Sequence, residues 1–127
     1  MSEVPMIAII DDDESVRVAT ESLIRSFGFK TNVFASAEAF LASPTVRDTD
    51  CLITDVQMPH MSGIELHETL QARGTFLPVI FITAFPEERI RRRAQEAGAI
   101  GFLSKPFDGD AMMGFVFQAL KDQPQTH

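Results

Sequence analysis

Four short apolar runs in this sequence are each followed by polar side chains of the kinds that carry out chemistry. A short apolar run indicates a buried parallel strand, and ligands of open α/β sheets bind beyond the carboxyl ends of such strands. The polar residues are Asp11, Asp12, Asp55, Thr83 and Lys105. If the four strands are neighbours, three carboxylates, a hydroxyl and an ammonium meet at one edge of the sheet. These groups are the components of a metal-assisted phosphoryl-transfer site.

Each of these groups suits one role in phosphoryl transfer. Oxygen ligands from Asp12, Asp55 and a backbone carbonyl suit a hard cation such as Mg²⁺, and three adjacent carboxylates repel one another unless a cation joins them. A carboxylate such as Asp55 is also the nucleophile of aspartyl-phosphate chemistry. Lys105 would stabilise the charge on the transferring group, and Thr83 would hydrogen-bond one of its oxygens.

Taken singly, the same residues have simpler explanations. Asp13 is a typical helix N-cap, and Asp11 and Asp12 could belong to the same acidic cluster at a helix N-terminus. One cap does not need two further carboxylates, however. A single Thr83 usually bonds to backbone, and a single Lys105 is usually a solvated surface charge. The functional hypothesis therefore rests on the combination.

Strand and helix patterns alternate along the chain, which is typical of βαβ units and a parallel sheet. The predicted strands are Met6–Ile10, Lys30–Phe34, Cys51–Thr54, Val79–Ile82 and Ile100–Leu103, and the predicted helices run from Glu14 to Phe27, Ser36 to Leu41, Ser62 to Gly74, Pro86 to Gly98 and Asp108 to Lys121. The predicted fold class is α/β, a doubly wound (βα)5 sheet with the flavodoxin-like order 2-1-3-4-5. Periodicity alone leaves the order open. The acidic residues favour it, because this order brings Asp11, Asp12 and Asp55 together.

Length and composition limit the classes of function. We expect 127 residues to form one domain, with a core from about 5 to 121 and a polar tail or the start of a linker at 122–127. The net charge of −7 argues against a nucleic-acid surface on this domain. No apolar stretch is long enough for a membrane span, and Ser2 and Glu3 lack the positive start of a secretory signal. A lone Cys51, predicted to be a small core residue, favours a reducing, cytoplasmic location.

Four sequence strings, in this order and spacing, resemble the receiver domains of bacterial two-component response regulators, the CheY-like superfamily. The strings are Asp11-Asp12, the D-x-x-M-P-x-M-x-G match from Asp55 to Gly63, Thr83-Ala84 and Lys105-Pro106-Phe107. The resemblance covers residues 5–121, nearly the whole chain. The segment from Ser36 to Leu41 and the Met61-Ser62-Gly63 segment are most similar to the FixJ-type subgroup.

The resemblance implies a metal and a phosphoacceptor. Asp55 would accept a phosphoryl group from a phosphohistidine on a sensor histidine kinase. Mg²⁺ would be held by Asp12, Asp55 and the backbone oxygen of Gln57, with Asp11 acting mainly through water. Lys105 would pair with Asp55 or with the phosphoryl group.

The resemblance also implies a conformational switch rather than a turnover enzyme. Thr83 would move toward the phosphoryl group, and Phe102, taken alone an ordinary core residue, would turn inward behind it. The Lys105-Pro106 bond is expected to be cis, an isomer found at only about 5–6% of X–Pro bonds in general. Residues two positions after the acceptor and after the switch threonine tune the lifetime of the phosphoryl group in this family. Phe85 offers no polar group to position water, so self-dephosphorylation is expected to be slow, although Gln57 could partly supply that role.

Two surfaces raise the question of partners. Met113, Val116, Phe117 and Leu120 are assigned to the core side of the last helix, and Met112, Phe115 and Ala119 to a second apolar stripe. That stripe is either ordinary exposed apolar surface or a contact face, near Phe102 and helix four, for a homodimer or an output domain. The Arg89, Arg91, Arg92 and Arg93 cluster is interpreted as a solvated helix face. His60 is expected to be an exposed loop residue and not a metal ligand.

Three rival hypotheses remain. A Mg²⁺-dependent aspartyl phosphatase commonly has a second Asp two residues after the nucleophile, where this chain has Gln57. A flavodoxin-like nucleotide-binding module would need a phosphate-cradling glycine loop after strand one, where this chain has three aspartates. A degenerate receiver that only binds partners is disfavoured, because all the key residues are present. The chain is either a stand-alone regulator or part of a longer one with a DNA-binding domain.

Overall fold

The computed structural model describes residues 4–121, and the predicted polar tail, Ser2 and Glu3 lie outside the described residues. The strands are β1 (Met6–Ile10), β2 (Lys30–Phe34), β3 (Cys51–Asp55), β4 (Val79–Thr83) and β5 (Gly101–Ser104). The helices are α1 (Glu14–Ser26), α2 (Ala37–Leu41), α3 (Gly63–Ala72), α4 (Glu88–Glu96) and α5 (Gly109–Lys121), and a 3-10 turn covers Pro44–Asp48. Each predicted strand and helix is confirmed, to within two residues at either end.

The five strands form one parallel sheet with the order β2-β1-β3-β4-β5. The fold is therefore flavodoxin-like, as predicted. Right-handed crossovers place helices on both faces of such a sheet. α1 and α5 cover one face, which buries the side chains of Ile24, Met112 and Val116, and α2, α3 and α4 cover the other. Among residues 4–121, no helix has both the length and the apolar character that crossing a bilayer requires.

Local signals explain where the helices near the site begin. Asp13 caps α1, because its Oδ1 accepts the backbone N–H groups of Ser15 at 3.0 Å and Val16 at 3.4 Å. The predicted capping box of α3 is present: Ser62 Oγ accepts the Glu65 N–H at 3.1 Å, and the Glu65 carboxylate accepts the Ser62 N–H at 2.9 Å. Each cap lies at the end of a loop that follows a strand ending at the site.

The start of α4, predicted near Pro86, lies two residues further along the chain. The helix begins at Glu88, with Glu87 as its N-cap. The Glu87 N–H donates to the Phe85 carbonyl at 2.8 Å, which closes a tight turn around Pro86. The segment between β4 and α4 is therefore a separate loop, and it projects Phe85 into solvent with 63% of its surface exposed.

The predicted division of α5 into two stripes is wrong. Met112 and Ala119, assigned to a contact face, are buried in the core, whereas Phe117, assigned to the core, is 48% exposed. Met113 and Val116 are buried as predicted, and Leu120 is partly buried against the same core. A helix packed against a twisted sheet buries a broad stripe, so the choice between neighbouring apolar residues depends on how the helix is rotated.

Candidate functional site

Parallel pairing brings the carboxyl ends of β1, β3, β4 and β5 to the same edge of the sheet. Asp55 is the last residue of β3, and it lies opposite Ile82 of β4. Thr83, the last residue of β4, lies opposite Ser104 of β5, and its carbonyl accepts the Lys105 N–H at 2.8 Å. The backbone hydrogen bonds of the sheet therefore fix the positions of the candidate residues, although 50 positions of sequence separate Asp55 from Lys105.

Three aspartates meet at this edge. Asp11, Asp12 and Asp55 each offer a carboxylate oxygen, and these oxygens lie within 4.8 Å of one another. Asp11 and Asp55 are buried, and Asp12 is exposed. Asp55 Oδ1 is buried without a hydrogen-bond partner among the described residues. That oxygen is open to a ligand, and the carboxylates of Asp11 and Asp12 lie close to the Asp55 carboxylate.

Lys105 is the cation that pairs with two of the three carboxylates. Its Nζ lies 2.9 Å from Asp11 Oδ2 and 3.1 Å from Asp55 Oδ2. Burial lowers the pKa of Lys105, but the hydrogen bonds and charges of Asp11 and Asp55 outweigh it, so the pKa lies above its ordinary value. Lys105 is therefore charged at neutral pH. The Lys105-Pro106 peptide bond is cis, as expected.

The carboxyl group of Asp55 has a perturbed pKa. Burial and the neighbouring charge of Asp11 raise it from 3.8 to about 6, and Lys105 acts in the opposite direction. One ammonium group does not offset two buried carboxylates and a third beside them. The site therefore has a deficit of positive charge, which a divalent cation would fill.

Thr83 and Gln57 are in contact at the rim of the aspartate cluster. The Thr83 hydroxyl donates to the side-chain oxygen of Gln57, and its oxygen accepts the Phe85 N–H at 3.0 Å. Thr83 is fully buried, and Gln57 is partly buried. The sequence indicated that Gln57 would bind the metal through its backbone oxygen and would affect the lifetime of the phosphoryl group, but it gave no sign of this side-chain contact with Thr83.

Phe102 occupies an intermediate position on β5. Its side chain is partly buried and packs against the core beneath α4. The guanidinium carbon of Arg91 lies 5.0 Å from the centroid of its ring, at cation–π distance. Arg91 was assigned to a solvated face, so its contact with the candidate switch residue is a second relationship that the sequence did not reveal. His60 is exposed in the loop before α3, as predicted, with a φ of 73°.

Two further residues shape the site. The Arg17 guanidinium donates to the backbone carbonyl of Asp11 at 2.7 Å and so anchors the end of β1 to α1. Gly63, the first residue of α3, packs so closely on β3 that a Cβ there would lie 2.3 Å from the Asp55 carbonyl oxygen. Only glycine permits that approach. Its place at the end of the motif that starts at Asp55 was the available sequence signal.

Known proteins resemble this chain in sequence and in fold. The family model of the response regulator receiver domain matches residues 7–117. The response regulator protein TmoT of Ectopseudomonas mendocina is 41% identical over 120 residues, which are 94% of this chain and 54% of that protein. The transcriptional regulatory protein FixJ of Azorhizobium caulinodans is 38% identical over 120 residues, which are 94% of this chain and 57% of that protein.

Solved structures show the same relationship. The structure of FixJ-N aligns with a TM-score of 0.86 at 32% identity and covers 99% of this chain and 100% of that one. The structure of the response regulator StyR aligns with a TM-score of 0.86 at 41% identity and covers 94% of this chain and 60% of that one. The chain spans about half the length of the curated relatives it matches.

Proposed function

Since the chain belongs to the response regulator receiver domain family of two-component systems, we propose that it is a switch operated by phosphorylation of Asp55. The observation that carries this proposal is the state of that carboxylate. One oxygen is held by Lys105 at 3.1 Å, and the other is buried without a partner among the described residues. A carboxylate so placed has an oxygen available to a metal or to a new bond.

The phosphoryl donor in this proposal is a phosphohistidine on a sensor kinase. A carboxylate oxygen of Asp55 forms a bond to phosphorus as the phosphorus–nitrogen bond to the kinase histidine breaks, and the imidazole, already protonated on its other ring nitrogen, leaves as the neutral ring. Lys105 remains within reach of the acceptor and offsets the charge on the phosphoryl oxygens. Asp55 of the domain is itself the acceptor in this transfer, so the domain acts as a switch and not as a turnover enzyme.

The site fits Mg²⁺. Three carboxylates within 4.8 Å of one another provide the hard oxygen donors that this ion prefers, and Asp55 Oδ1 lacks any other partner among the described residues. Asp12, Asp55 and the backbone oxygen of Gln57 would hold the ion, with Asp11 acting through water. When bound, the ion neutralises charge on the transferring phosphoryl group.

The phosphorylated state is expected to reposition Thr83 and Phe102. The buried hydroxyl of Thr83 would leave Gln57 to donate to a phosphoryl oxygen, and the half-buried Phe102 would turn inward from beneath Arg91. Phe85 borders the site without a polar side chain to orient water, which supports slow loss of the phosphoryl group. If Phe85→Ala and Phe85→Glu leave the decay rate of the adduct unchanged, that part of the proposal is wrong.

We also propose that phosphorylation makes the surface of α4, β5 and α5 a contact face for a second copy or for an output domain. Phe102 and the exposed arginines of α4 support it. The second apolar stripe of α5 does not, because Met112 and Ala119 are buried. Light scattering of the domain with Mg²⁺ and beryllofluoride tests the dimer. A mass that stays monomeric at high concentration contradicts it, and Arg92→Glu should weaken a dimer that forms.

The phosphoacceptor proposal is tested by incubating the chain with Mg²⁺ and acetyl phosphate and measuring its intact mass. One phosphoryl adduct is expected, and neutral hydroxylamine should remove it, because hydroxylamine cleaves acyl phosphates and spares serine and threonine phosphates. Asp55→Asn should abolish the adduct. Asp48→Asn, a change of an exposed aspartate far from the site, should leave it intact. An adduct that persists in Asp55→Asn would overturn the assignment.

A further inference from the structure

Within residues 4–121, the hydroxyl group of Thr83 has two hydrogen-bond partners, and neither belongs to the aspartate cluster. Its oxygen accepts the Phe85 N–H at 3.0 Å, and its proton is donated to the side-chain oxygen of Gln57. Thr83 is fully buried, so solvent offers no alternative partner. Both bonding roles of the hydroxyl are therefore filled within the chain.

A hydroxyl has only one proton to donate. If Thr83 is to donate a hydrogen bond to a phosphoryl oxygen on Asp55, its hydrogen bond to Gln57 must first break. The Gln57 amide and the phosphoryl group are thus competing acceptors for the same donor. The stronger the hydrogen bond to Gln57, the more free energy the contacts of the phosphoryl group must supply to move Thr83.

The backbone on either side of this contact is fixed. Thr83 lies opposite Ser104 in the sheet, and its carbonyl accepts the Lys105 N–H at 2.8 Å. The Val56 N–H, just before Gln57, donates to the Ile82 carbonyl at 2.9 Å. With the backbone fixed, the hydroxyl oxygen of Thr83 can change position only by rotation about the Cα–Cβ bond, between discrete rotamers of a β-branched side chain.

We propose that Gln57 is a positioning residue whose side chain holds Thr83 in its resting rotamer. Gln57 thereby sets the threshold of the switch, which is the free energy needed to move Thr83 to the phosphoryl group. The proposal rests on the proposed function and concerns the side-chain oxygen of Gln57, not the backbone oxygen that would bind the metal. A stronger acceptor at this position raises the threshold, and an apolar side chain of similar length lowers it.

The experiment compares Gln57→Met with the unchanged chain and repeats the comparison in a Thr83→Ala background. Beryllofluoride at saturating Mg²⁺ is the probe, and ¹⁹F NMR measures the bound fraction, because the chain has no Trp or Tyr to report binding by fluorescence. Removing one competing hydrogen bond should tighten beryllofluoride binding by about threefold to tenfold. In the Thr83→Ala background the same substitution should change the affinity by less than about twofold, since no hydroxyl remains to be held.

A second measurement tests the hydrogen bond between Gln57 and Thr83 separately from the phosphoacceptor chemistry. Three-bond couplings of Thr83 in the free domain report its rotamer, and Gln57→Met should redistribute it with no ligand present. If the couplings and the affinity are unchanged, or if the affinity shifts equally in both backgrounds, the proposed positioning role of Gln57 is wrong. If the unchanged chain fails to bind beryllofluoride while the couplings do shift, the phosphoacceptor proposal fails and the Gln57–Thr83 contact stands.

Discussion

The backbone of Gly101 lies directly beneath the ring of Phe115, so that a Cβ at position 101 would be 2.5 Å from Cγ of that ring. Phe115 is consequently packed between α5 and β5 and is not presented to a partner. The next aromatic residue of the helix, Phe117, points outward, with its ring centroid 5.9 Å from those of both Phe27 and Phe29. The packing of one glycine against one ring thus fixes which face of α5 is exposed.

Gly101→Ala should destabilise the domain by about 1–3 kcal/mol, because the ring of Phe115 must shift to admit the methyl group. Gly114→Ala is the matched control, since this α5 glycine is exposed and a Cβ there would meet no atom within 4 Å among the described residues beyond its own turn of helix. Helix propensity predicts that the control gains roughly 0.5–1 kcal/mol. Urea denaturation of both variants checks the prediction. Equal effects of the two substitutions would contradict it.

Asp55→Asn should stabilise the metal-free domain by about 1–3 kcal/mol near neutral pH. The folded pKa of Asp55, about 6, lies above the ordinary value of 3.8 because of burial and of Asp11. The native state therefore binds the proton more tightly than the unfolded state does. The ionised carboxylate lowers stability above about pH 6, and this cost disappears below about pH 4.

Denaturation of Asp55→Asn at several pH values provides the measurement. The gain over the unchanged chain should be largest near about pH 7.5 and should shrink as the pH falls from about 6 to about 4. Asp48→Asn makes the same change in net charge at an exposed position and should show no such dependence. A gain that grows toward acid pH would contradict the raised pKa.

Mg²⁺ should raise the melting temperature at about pH 7.5 and much less at about pH 5. A proton competes with the cation for Asp55 once the pH falls below the raised pKa of about 6. Mg²⁺ binding near pH 6 should therefore release protons, which calorimetry in buffers of different ionisation enthalpy measures. Removing Mg²⁺ with a chelator should reverse the stabilisation. Binding that is independent of pH over this range would show that the ion does not contact Asp55.

Cys51 should be unreactive toward alkylating reagents in the folded domain. Its thiol is buried at the head of β3, and burial raises the pKa of Cys51 to about 12. The reactive thiolate is therefore nearly absent at about pH 8. Mass spectrometry after treatment with iodoacetamide should show labelling only at denaturant concentrations that unfold the chain. Rapid labelling under native conditions would mean that β3 is accessible.

Arg91→Ala should change the environment of the Phe102 ring and lower the stability of the domain only modestly. The guanidinium carbon of Arg91 lies 5.0 Å from the ring centroid, and an exposed cation–π contact contributes about 0.5–1 kcal/mol. Ring signals of labelled Phe102 should shift in the Arg91→Ala variant. Arg92→Ala, the adjacent exposed arginine, is the control and should leave those signals in place.

Much of the site was predictable because its functional side chains lie at the carboxyl ends of strands. The apolar runs before Asp11, Asp55 and Thr83 specify buried strands, and a parallel sheet has only one edge where their carboxyl ends meet. The caps at Asp13 and Ser62 depend on backbone geometry within a few residues. Such local rules can be applied to a sequence without knowledge of its tertiary contacts.

The orientation of α5 was not predictable in the same way. Met112, Phe115 and Phe117 are all apolar, and helical periodicity permits more than one of them to face the sheet. The close approach of Phe115 to Gly101 selects the rotation of α5 about its axis. These two residues belong to different elements, and the distance between α5 and β5 is determined only by packing. The sequence also held no sign that Arg91 would contact Phe102, or that the Gln57 side chain would accept a hydrogen bond from Thr83.

The sequence by itself determined the elements, their parallel arrangement and the residue types at the strand ends, because periodicity and capping act over short distances. Only the tertiary structure decided which groups contact one another. Lys105 reaches both Asp11 and Asp55, and Asp55 is left with a raised pKa and one oxygen without a partner among the described residues. These properties arise from burial and from distances between side chains, which no local pattern encodes.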